Sequence, residues 1–461
     1  MCPSDRTYDS IRQLPIIRPS TRSLQRVNPV NKIFLILAIS LISTNSISQD
    51  LIKIYQLALK HDAEIQIAES IYQAALEAVP LAGSVNRPQI NFSAHRSFRE
   101  SELSSTGSNT NNSYGYGLSL SQNIYNADNF SSVDVAEANL KTAEANLDAS
   151  RQALIIRVSE SYFEILAAED FVDFAIAEQT AITRQLEQAQ KRYEVGLIAI
   201  TDVREAQASF DSAVAQLLLA ENLLENAYQA LQVIIVESTT EELARPDDSL
   251  VLGLPEPADS NHWVELAKQS NPVLLAAISN QQAADHERRR QSSSRHPRVD
   301  FLANFNDTNI NDEGIGNYDQ EDLSFSFQMN IPLYNGGRLS ALRLQAESNY
   351  QSAQNNVLLQ RRLTTQQTRI AYLGILSGIS QVKALKQALA SSTTALEATE
   401  AGFEVGTRTS VDVLVSLRGT YASRREYAQA RYDYLVNSLK LKQAAGVLNA
   451  DDLHGINRWL N

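Results

Sequence analysis

The chain has 461 residues, a formal net charge of −13 and a single cysteine, Cys2. One thiol excludes intramolecular disulfides and cysteine-ligated metal sites, and the acidic charge argues against nucleic acid as a partner. Gly and Pro number only 17 and 12, and Ala, Gln, Leu and Glu are abundant outside residues 86–126 and 296–337, which is typical of long helices.

The first predicted element is an export signal at residues 1–48. Residues 33–42 are apolar, follow Lys32 and five arginines, and precede small polar residues. Such a run is too short to span a membrane as a helix, but it fits the core of a signal peptide cleaved after about Ser48. Residues 1–48 carry six basic and two acidic side chains, so their removal takes the net charge from −13 to −17.

The rest of the chain contains the same unit twice, about 210 residues apart. The segment YEVGLIAITDV at residues 193–203 returns as FEVGTRTSVDV at 403–413, and RPQINF at 87–92 corresponds to HPRVDF at 296–301. A period this long indicates a duplicated domain and not a solenoid. We predict a first repeat at residues 49–236, a linker at 237–261, a second repeat at 262–449 and a C-terminal tail at 450–461.

Each repeat is predicted to begin with a helix, at residues 50–85 in the first copy, and to continue with two strands. The strands are predicted at residues 88–99, 114–125, 297–307 and 322–333, with surface loops at 100–113 and 308–322. Between Leu323 and Leu333 every second residue is apolar, and Ser, Gln and Asn lie between them. One apolar and one polar face indicate a transmembrane β-barrel. Four strands cannot enclose a lumen, so several chains must contribute.

Each repeat is predicted to end in a long helical hairpin, at residues 127–236 and 338–449. The longer helix of the first hairpin would extend about 100 Å at 1.5 Å per residue. A heptad of apolar residues predicts a coiled coil; its members are Val133, Leu140, Leu147 and Leu154. Gly196 and Gly406 stand where a helix end requires positive φ, and the spacing of Asp202 and Asp412 favours capping of the next helix.

The sequence contains no pattern typical of catalysis. Its six histidines are scattered, and no phosphate-binding loop, nucleophile motif or pair of metal-binding carboxylates is present. We therefore predict no enzymatic activity, no cofactor and no metal site.

Four segments carry a specific resemblance: VGLIAITDV, EAGFEVGTRTSVDVL, LSFSFQMNIPLYNGG and ARYDYLVNSLKLKQAAGVLN. They resemble the TolC family of outer-membrane efflux and secretion channels, over residues 50–453. The resemblance implies a mixed α and β membrane protein of a Gram-negative bacterium. Three identical chains would form a barrel of about twelve strands in outer-membrane lipid, continued by a periplasmic coiled-coil barrel.

The resemblance also implies a function and partners. The channel would be a passive exit duct for drugs or secreted proteins, in efflux or type I secretion. A periplasmic adaptor protein would dock at the hairpin tips, and an inner-membrane pump of the RND, ABC or MFS type would supply the energy. The tip residues that would take part in docking are Gly196, Leu197, Gly406 and Thr407.

At the tips, the resemblance implies a gate. Asp412 would contribute one carboxylate per chain to a ring at the pore aperture. Arg408 would hold the tips closed through bonds to Thr201 and Asp202, and Phe403 occupies the position of the family's latch tyrosine.

The sequence departs from the family pattern at two tip positions. The family's second aperture acid falls on Val415, so we expect a single acidic ring. Phe403 has no hydroxyl group, so we expect fewer bonds in the closed state.

Two alternatives stay open at the level of sequence. A coiled-coil adaptor or structural envelope protein without a pore would explain the helices but not the apolar strand faces. An enzyme is the weaker alternative, because no site supports it.

Overall fold

The computed structural model of the chain describes residues 50–103, 107–236, 243–246, 252–312 and 316–460. The predicted signal peptide and Cys2 lie outside the described residues, as does much of the predicted linker. The helices and strands in chain order are α1 (Leu51–His61), α2 (Ala63–Ser84), β1 (Gln89–Leu103), β2 (Gly107–Tyr125), α3 (Ala127–Glu194), α4 (Ile200–Ile235), α5 (Ser260–Ser270), α6 (Pro272–Ser293), β3 (Arg298–Asp312), β4 (Gly316–Asn330), α7 (Arg338–Glu404), α8 (Ser410–Ala445) and α9 (Ala450–Asn457).

The segment predicted as one helix at residues 50–85 is two helices. Asp62 has an extended backbone, ends α1 and caps α2 by accepting a hydrogen bond from Ile65 N at 2.9 Å. Its counterpart Asn271 separates α5 from α6 in the same way. Asp and Asn break helices at such positions because their short polar side chains bind nearby backbone N–H groups.

The four strands form one antiparallel sheet in the order β1-β2-β3-β4, so β2 and β3 join the two repeats. The predicted surface loops at 100–113 and 308–322 are wrong for their described parts, which belong to the strands. The sequence of these strand ends is mostly polar, so it lacks the regular apolar alternation by which strands are recognised. Strand β4 ends at Asn330, before Pro332, which has no N–H to donate.

The main core lies where α1 packs against α3 and α4, and where α5 packs against α7 and α8. Tyr162 is fully buried there, and its hydroxyl donates a hydrogen bond to Ala244 O at 2.7 Å. Phe163 stacks on Tyr432 of the second repeat with ring centroids 5.8 Å apart. The core therefore ties the two repeats together part-way along the long helices.

The long helices pack through small residues. In the predicted heptad of α3, Leu147 and Leu154 are buried, and Ala136 and Ala143 between the heptad positions are buried as well. Helix α4 adds a row of buried alanines seven residues apart; they are Ala206, Ala213, Ala220 and Ala227. Such rows allow neighbouring helices to approach closely over the segments that contain them.

Part of the predicted linker is held against α3. Leu243 and Ala244 are buried, and the Arg245 guanidinium lies 3.1 Å from Asp170 and 3.3 Å from Glu169. Pro246 forms a β-bridge with Leu460 near the end of the chain. The segment thus connects the middle of α3 to the end of the chain.

The junction between α1 and α2 is stabilised by a buried ion pair. Both guanidinium Nη atoms of Arg157 donate to the Asp62 carboxylate at 2.9 Å. Burial alone would raise the pKa of Asp62, but the bonds from Arg157 and Ile65 N outweigh it, and the pKa is lowered. The second repeat has neutral Asn271 at this position.

Replacing Asp62→Ala should lower the free energy of unfolding by about 3 kcal/mol, because it removes a helix cap and leaves the partly buried Arg157 guanidinium with only the exposed Glu64 as a partner among the described residues. Asp62→Asn, which copies Asn271, should keep the cap and lose only the charge. Thermal unfolding of the detergent-solubilised protein measures both.

The same ion pair predicts a pH dependence. Because the folded-state pKa of Asp62 is depressed, its contribution is complete above the usual Asp value and is lost as the pH falls through the lower folded value. In Asp62→Asn this part of the acid destabilisation should be missing. An unchanged acid profile in that variant would contradict the assignment.

Candidate functional site

The strand register places apolar side chains on one face of the sheet. Residues directly opposite each other in a ladder share a face. One row across the four strands is Phe92, Leu118, Phe305 and Leu323. The next row is Ile90, Leu120, Ala303 and Phe325. Many of these side chains are exposed in the single chain, so the sheet presents a continuous apolar surface.

The opposite face of the sheet is polar. Its rows include Asn91, Ser119, Asn304 and Ser324. Gly117 also belongs to this face, and a Cβ there would lie 2.5 Å from Asn306 Oδ1. A larger residue at this position would therefore displace the Asn306 amide, which lies against the backbone.

On β3 and β4 the apolar surface ends abruptly along the strands. The row after Phe92 and Leu323 pairs Tyr116 with Asp307, and Asp307 with Glu321. In the other direction Ile331 and Leu333 continue the alternation beyond β4 and are exposed. From Leu323 to Leu333 the strand direction covers about 33 Å, which for tilted strands matches the roughly 25 Å apolar band of membrane barrels. The outer strand ends therefore extend beyond this band.

The two hairpin tips have the same backbone structure. Gly196 and Gly406 have φ of 76° and 79°, as the sequence predicts. At the first tip Leu197 N donates to Arg192 O at 2.9 Å, and at the second Thr407 N donates to Gly402 O at 2.8 Å. These bonds and the left-handed glycine form a Schellman motif, which ends a helix and turns the chain.

The helices that follow the tips begin differently. At α8 the Asp412 carboxylate accepts from Thr409 N at 2.9 Å, and Thr409 Oγ1 accepts from Asp412 N at 3.2 Å. The capping box predicted for Asp412 is therefore present. At α4 the N-cap is Ala199, which has no capping side chain, so capping by Asp202 is not formed.

The charge of Asp412 is stabilised by these contacts. The hydrogen bond from the Thr409 backbone, the bond to the Thr409 side chain and the charge of Arg408 lower the pKa of Asp412. Val415, one turn later, is exposed. The start of α8 thus presents the ionised carboxylate of Asp412, and no second acid stands one turn later.

The predicted latch residues lie at the tips without joining each other in one chain. Among the residues that the structure describes, neither Thr201 nor Asp202 accepts a hydrogen bond from Arg408. The Arg408 side chain instead lies over Gly402, where a Cβ would be 2.8 Å from Arg408 Cγ. The latch stays a prediction about the assembled protein.

A different contact joins the two tips. The Arg192 guanidinium lies over the ring of Phe403, with Cζ 4.3 Å from the ring centroid. The repeat pattern does not reveal it, because Arg192 is equivalent to Gly402 and Phe403 to Tyr193. The only signal in the sequence is that α3 ends with an arginine in its last turn and α7 with an aromatic residue in its last turn.

The described part of the chain has neither a membrane-spanning helix nor a metal-binding cluster. No helix there is both long and apolar enough to cross a membrane. No cluster of three or more His, Cys, Asp or Glu side chains there is arranged to hold a metal ion.

These features define a class of protein. A sheet with one apolar and one polar face suits insertion into a membrane, and long paired helices extend from it. Both repeats match the family model described as "Outer membrane efflux protein", over residues 54–235 and 263–447. The chain belongs to this family, and its location is the outer membrane. The resemblance to the TolC family is confirmed.

Three known proteins illustrate the likeness. Outer membrane protein TolC of Vibrio cholerae is 35% identical over 431 residues, covering 93% of this chain and 98% of its own. Alkaline protease secretion protein AprF of Pseudomonas aeruginosa is 26% identical over 407 residues, covering 87% of this chain and 85% of its own. The crystal structure of the outer membrane protein VceC of Vibrio cholerae has a TM-score of 0.73 at 20% identity, covering 86% of this chain and 96% of that chain. The last likeness shows the fold alone.

The capping box predicts a local effect at the second tip. Thr409→Ala should speed amide exchange in the first turn of α8 about fivefold, since a lost cap costs about 1 kcal/mol. Thr409→Ser should keep the normal rate. Hydrogen–deuterium exchange with mass spectrometry measures this, and the first turn of α4 serves as an internal reference. Equal rates in the Ala and Ser variants would show that the box does not hold this turn.

Proposed function

We propose that the chain is one subunit of a passive exit duct through which drugs or secreted proteins cross the outer membrane. The observation that carries the proposal is the sheet register, which puts apolar residues on one face and polar residues on the other. An apolar exterior suits lipid, and a polar interior suits a water-filled passage. A coiled-coil adaptor without a pore would have no use for the exposed apolar face.

The duct is a homotrimer in this proposal. Within the described residues of a single chain, strands β1 and β4 each leave one edge unpaired, and unpaired edges in lipid are very costly. Three chains pairing β4 with the next β1 would close a barrel of about twelve strands.

The exposure of apolar side chains on the helices also supports a closed ring of three chains. Ile67 on α2 is 59% exposed, whereas its repeat counterpart Ala276 on α6 is 7% exposed. Leu218 on α4 is 62% exposed, whereas its counterpart Ala428 on α8 is 8% exposed. Helix α6 packs between α3 and α7, and α8 packs against both of them. By the repeat symmetry, α2 and α4 would pack against α7 of a neighbouring chain.

The duplication also specifies the register between chains. Tyr116 on β2 lies opposite Asp307 on β3. A shift of 209 residues converts this pair into Phe325 on β4 and Phe98 on β1 of the next chain. The same shift pairs Ile331 with Phe92. Strand β4 would then extend past Asn330 to the predicted end at 333.

This register can be tested by cross-linking. Phe98→Cys with Phe325→Cys should give a covalently linked trimer on a non-reducing gel, since opposite Cα atoms are about 5 Å apart. Moving one cysteine along the strand, in Phe98→Cys with Phe327→Cys, should cross-link much less. The single cysteine variants control for other links. Stronger linking of the shifted pair would refute the register.

The hairpin tips form the gate of the duct in this proposal. Asp412 from each chain supplies a ring of carboxylates that attracts cations. Arg408 closes the tips through Thr201 and Asp202 in the assembly. A periplasmic adaptor docks at the two turns, and an inner-membrane pump supplies the energy. What supports this is the ionised Asp412 on a capped helix start and the identical Schellman turns.

The proposed aperture predicts ion selectivity. Asp412→Asn should abolish cation preference and block by trivalent cations in planar bilayers while keeping the capping geometry. Val415→Asp should strengthen both by adding a second ring. Selectivity should be present while the Asp412 carboxylates of the ring are ionised, and it should vanish when the pH falls far enough to protonate them. Unchanged selectivity in Asp412→Asn would remove this residue from the aperture.

A further inference from the structure

The contact between Arg192 and Phe403 joins the tips of the two hairpins in one chain. Arg192 is in the last turn of α3 and Phe403 in the last turn of α7. Both side chains are half-buried, whereas Glu194, Val195 and Val405 nearby are exposed. The two side chains therefore shield each other from water at a place where their neighbours are exposed.

The partners fit a cation–π interaction. The guanidinium Cζ lies 4.3 Å from the ring centroid, within the roughly 6 Å over which the ring attracts a cation. Among the described residues, Arg192 forms no ion pair with a carboxylate, so the ring face is what holds its side chain. A planar guanidinium stacks on a ring in a way that lysine cannot copy.

The contact lies at the end of a small apolar cluster. Buried Leu186 on α3 contacts a group that includes Leu414 and Leu417 on α8. Arg192 and Phe403 lie closer to the turns than these buried residues do. Loss of the pair would therefore leave the last turns of the hairpins without this tie, while the cluster behind them stays intact.

The duplication makes this contact specific to one kind of junction. In the trimer, each hairpin would also meet a hairpin of the next chain. The repeat equivalents of Arg192 and Phe403 are Gly402 and Tyr193. Gly402 offers no cation, so the junction between chains has no counterpart of this pair.

We infer that Arg192, held over the Phe403 ring, ties the two hairpins of each chain together and holds the gate closed. The inference rests on the proposed function, because it assigns the tie to a channel. It supplies a bond at the position where Phe403 has no hydroxyl group to offer. Arg408 lies on the second tip with no counterpart on the first, so the two arginines act at separate contacts.

The test is the open probability of single channels in planar bilayers. Arg192→Gln and Phe403→Leu should each raise the open probability. An exposed cation–π pair contributes a factor of about two to five, and each variant removes one such pair from every chain of the trimer. The double variant should match either single variant, because both remove one interaction. Phe403→Tyr keeps the ring and should stay at least as closed as the unmodified channel.

Matched controls separate the tie from general damage. Lys191→Gln removes an adjacent exposed charge without touching the ring, and it should leave the open probability unchanged. Arg408→Ser should add its own effect to that of Arg192→Gln. Entry of vancomycin into cells that produce each variant gives a second readout of leakage.

Three outcomes would overturn the inference. They are an unchanged or lowered open probability in Arg192→Gln, an effect of Lys191→Gln equal to it, and additive effects of Arg192→Gln and Phe403→Leu. A purified trimer that forms no pores at all would instead refute the proposed function. The two failures are thus distinguishable in the same experiment.

Discussion

The pairing of β2 with β3 is the constraint on which the rest of the structure depends. These strands come from different repeats, so their ladder joins two strand pairs into one sheet. A slip of one residue would move Leu118 and Phe305 to the polar face. Asn123 donates to Asp300 at 2.9 Å and holds the register next to the bulge at the helical end of the sheet. Because α3 and α7 begin soon after β2 and β4, this register also sets the spacing of the hairpins.

Helix packing carries that spacing to the tips. The alanine row of α4, from Ala206 to Ala227, keeps two helices close over about 30 Å, since small side chains let the backbones approach. Part-way along, the aromatic pair Phe163 and Tyr432 and the carboxylate of Asp170 bind the first repeat to the second. Burial raises the pKa of Asp170, although the Tyr432 hydroxyl donates to its carboxylate. The helices are thus fixed at both the sheet and the middle, which leaves the tips as the ends with fewest constraints.

The sequence predicts features that depend on local chemistry. The alternation of apolar and polar residues locates the parts of the strands that form the apolar band. Gly196 and Gly406 identify turns that need positive φ. It does not predict the outer strand ends, because polar strands in water have no apolar face to reveal them. The division at Asp62 also escapes, since periodicity continues across it. Arg192 and Phe403 meet only through the packing of two hairpins, and no repeat in the sequence brings them together.

The duplication explains why the tips share a backbone but differ in chemistry. The sequence Glu-Val-Gly, at residues 194–196 and 404–406, produces the same Schellman turn twice. This turn tolerates different side chains around it. The positions that differ include Arg192 and Gly402, Ile198 and Arg408, and Ala199 and Thr409. In a ring of alternating hairpins, a residue shared by both copies acts at every junction, whereas an unshared residue acts at only one kind. Changes in one copy can therefore adjust the junctions within a chain and between chains separately, without disturbing the turn on which both depend.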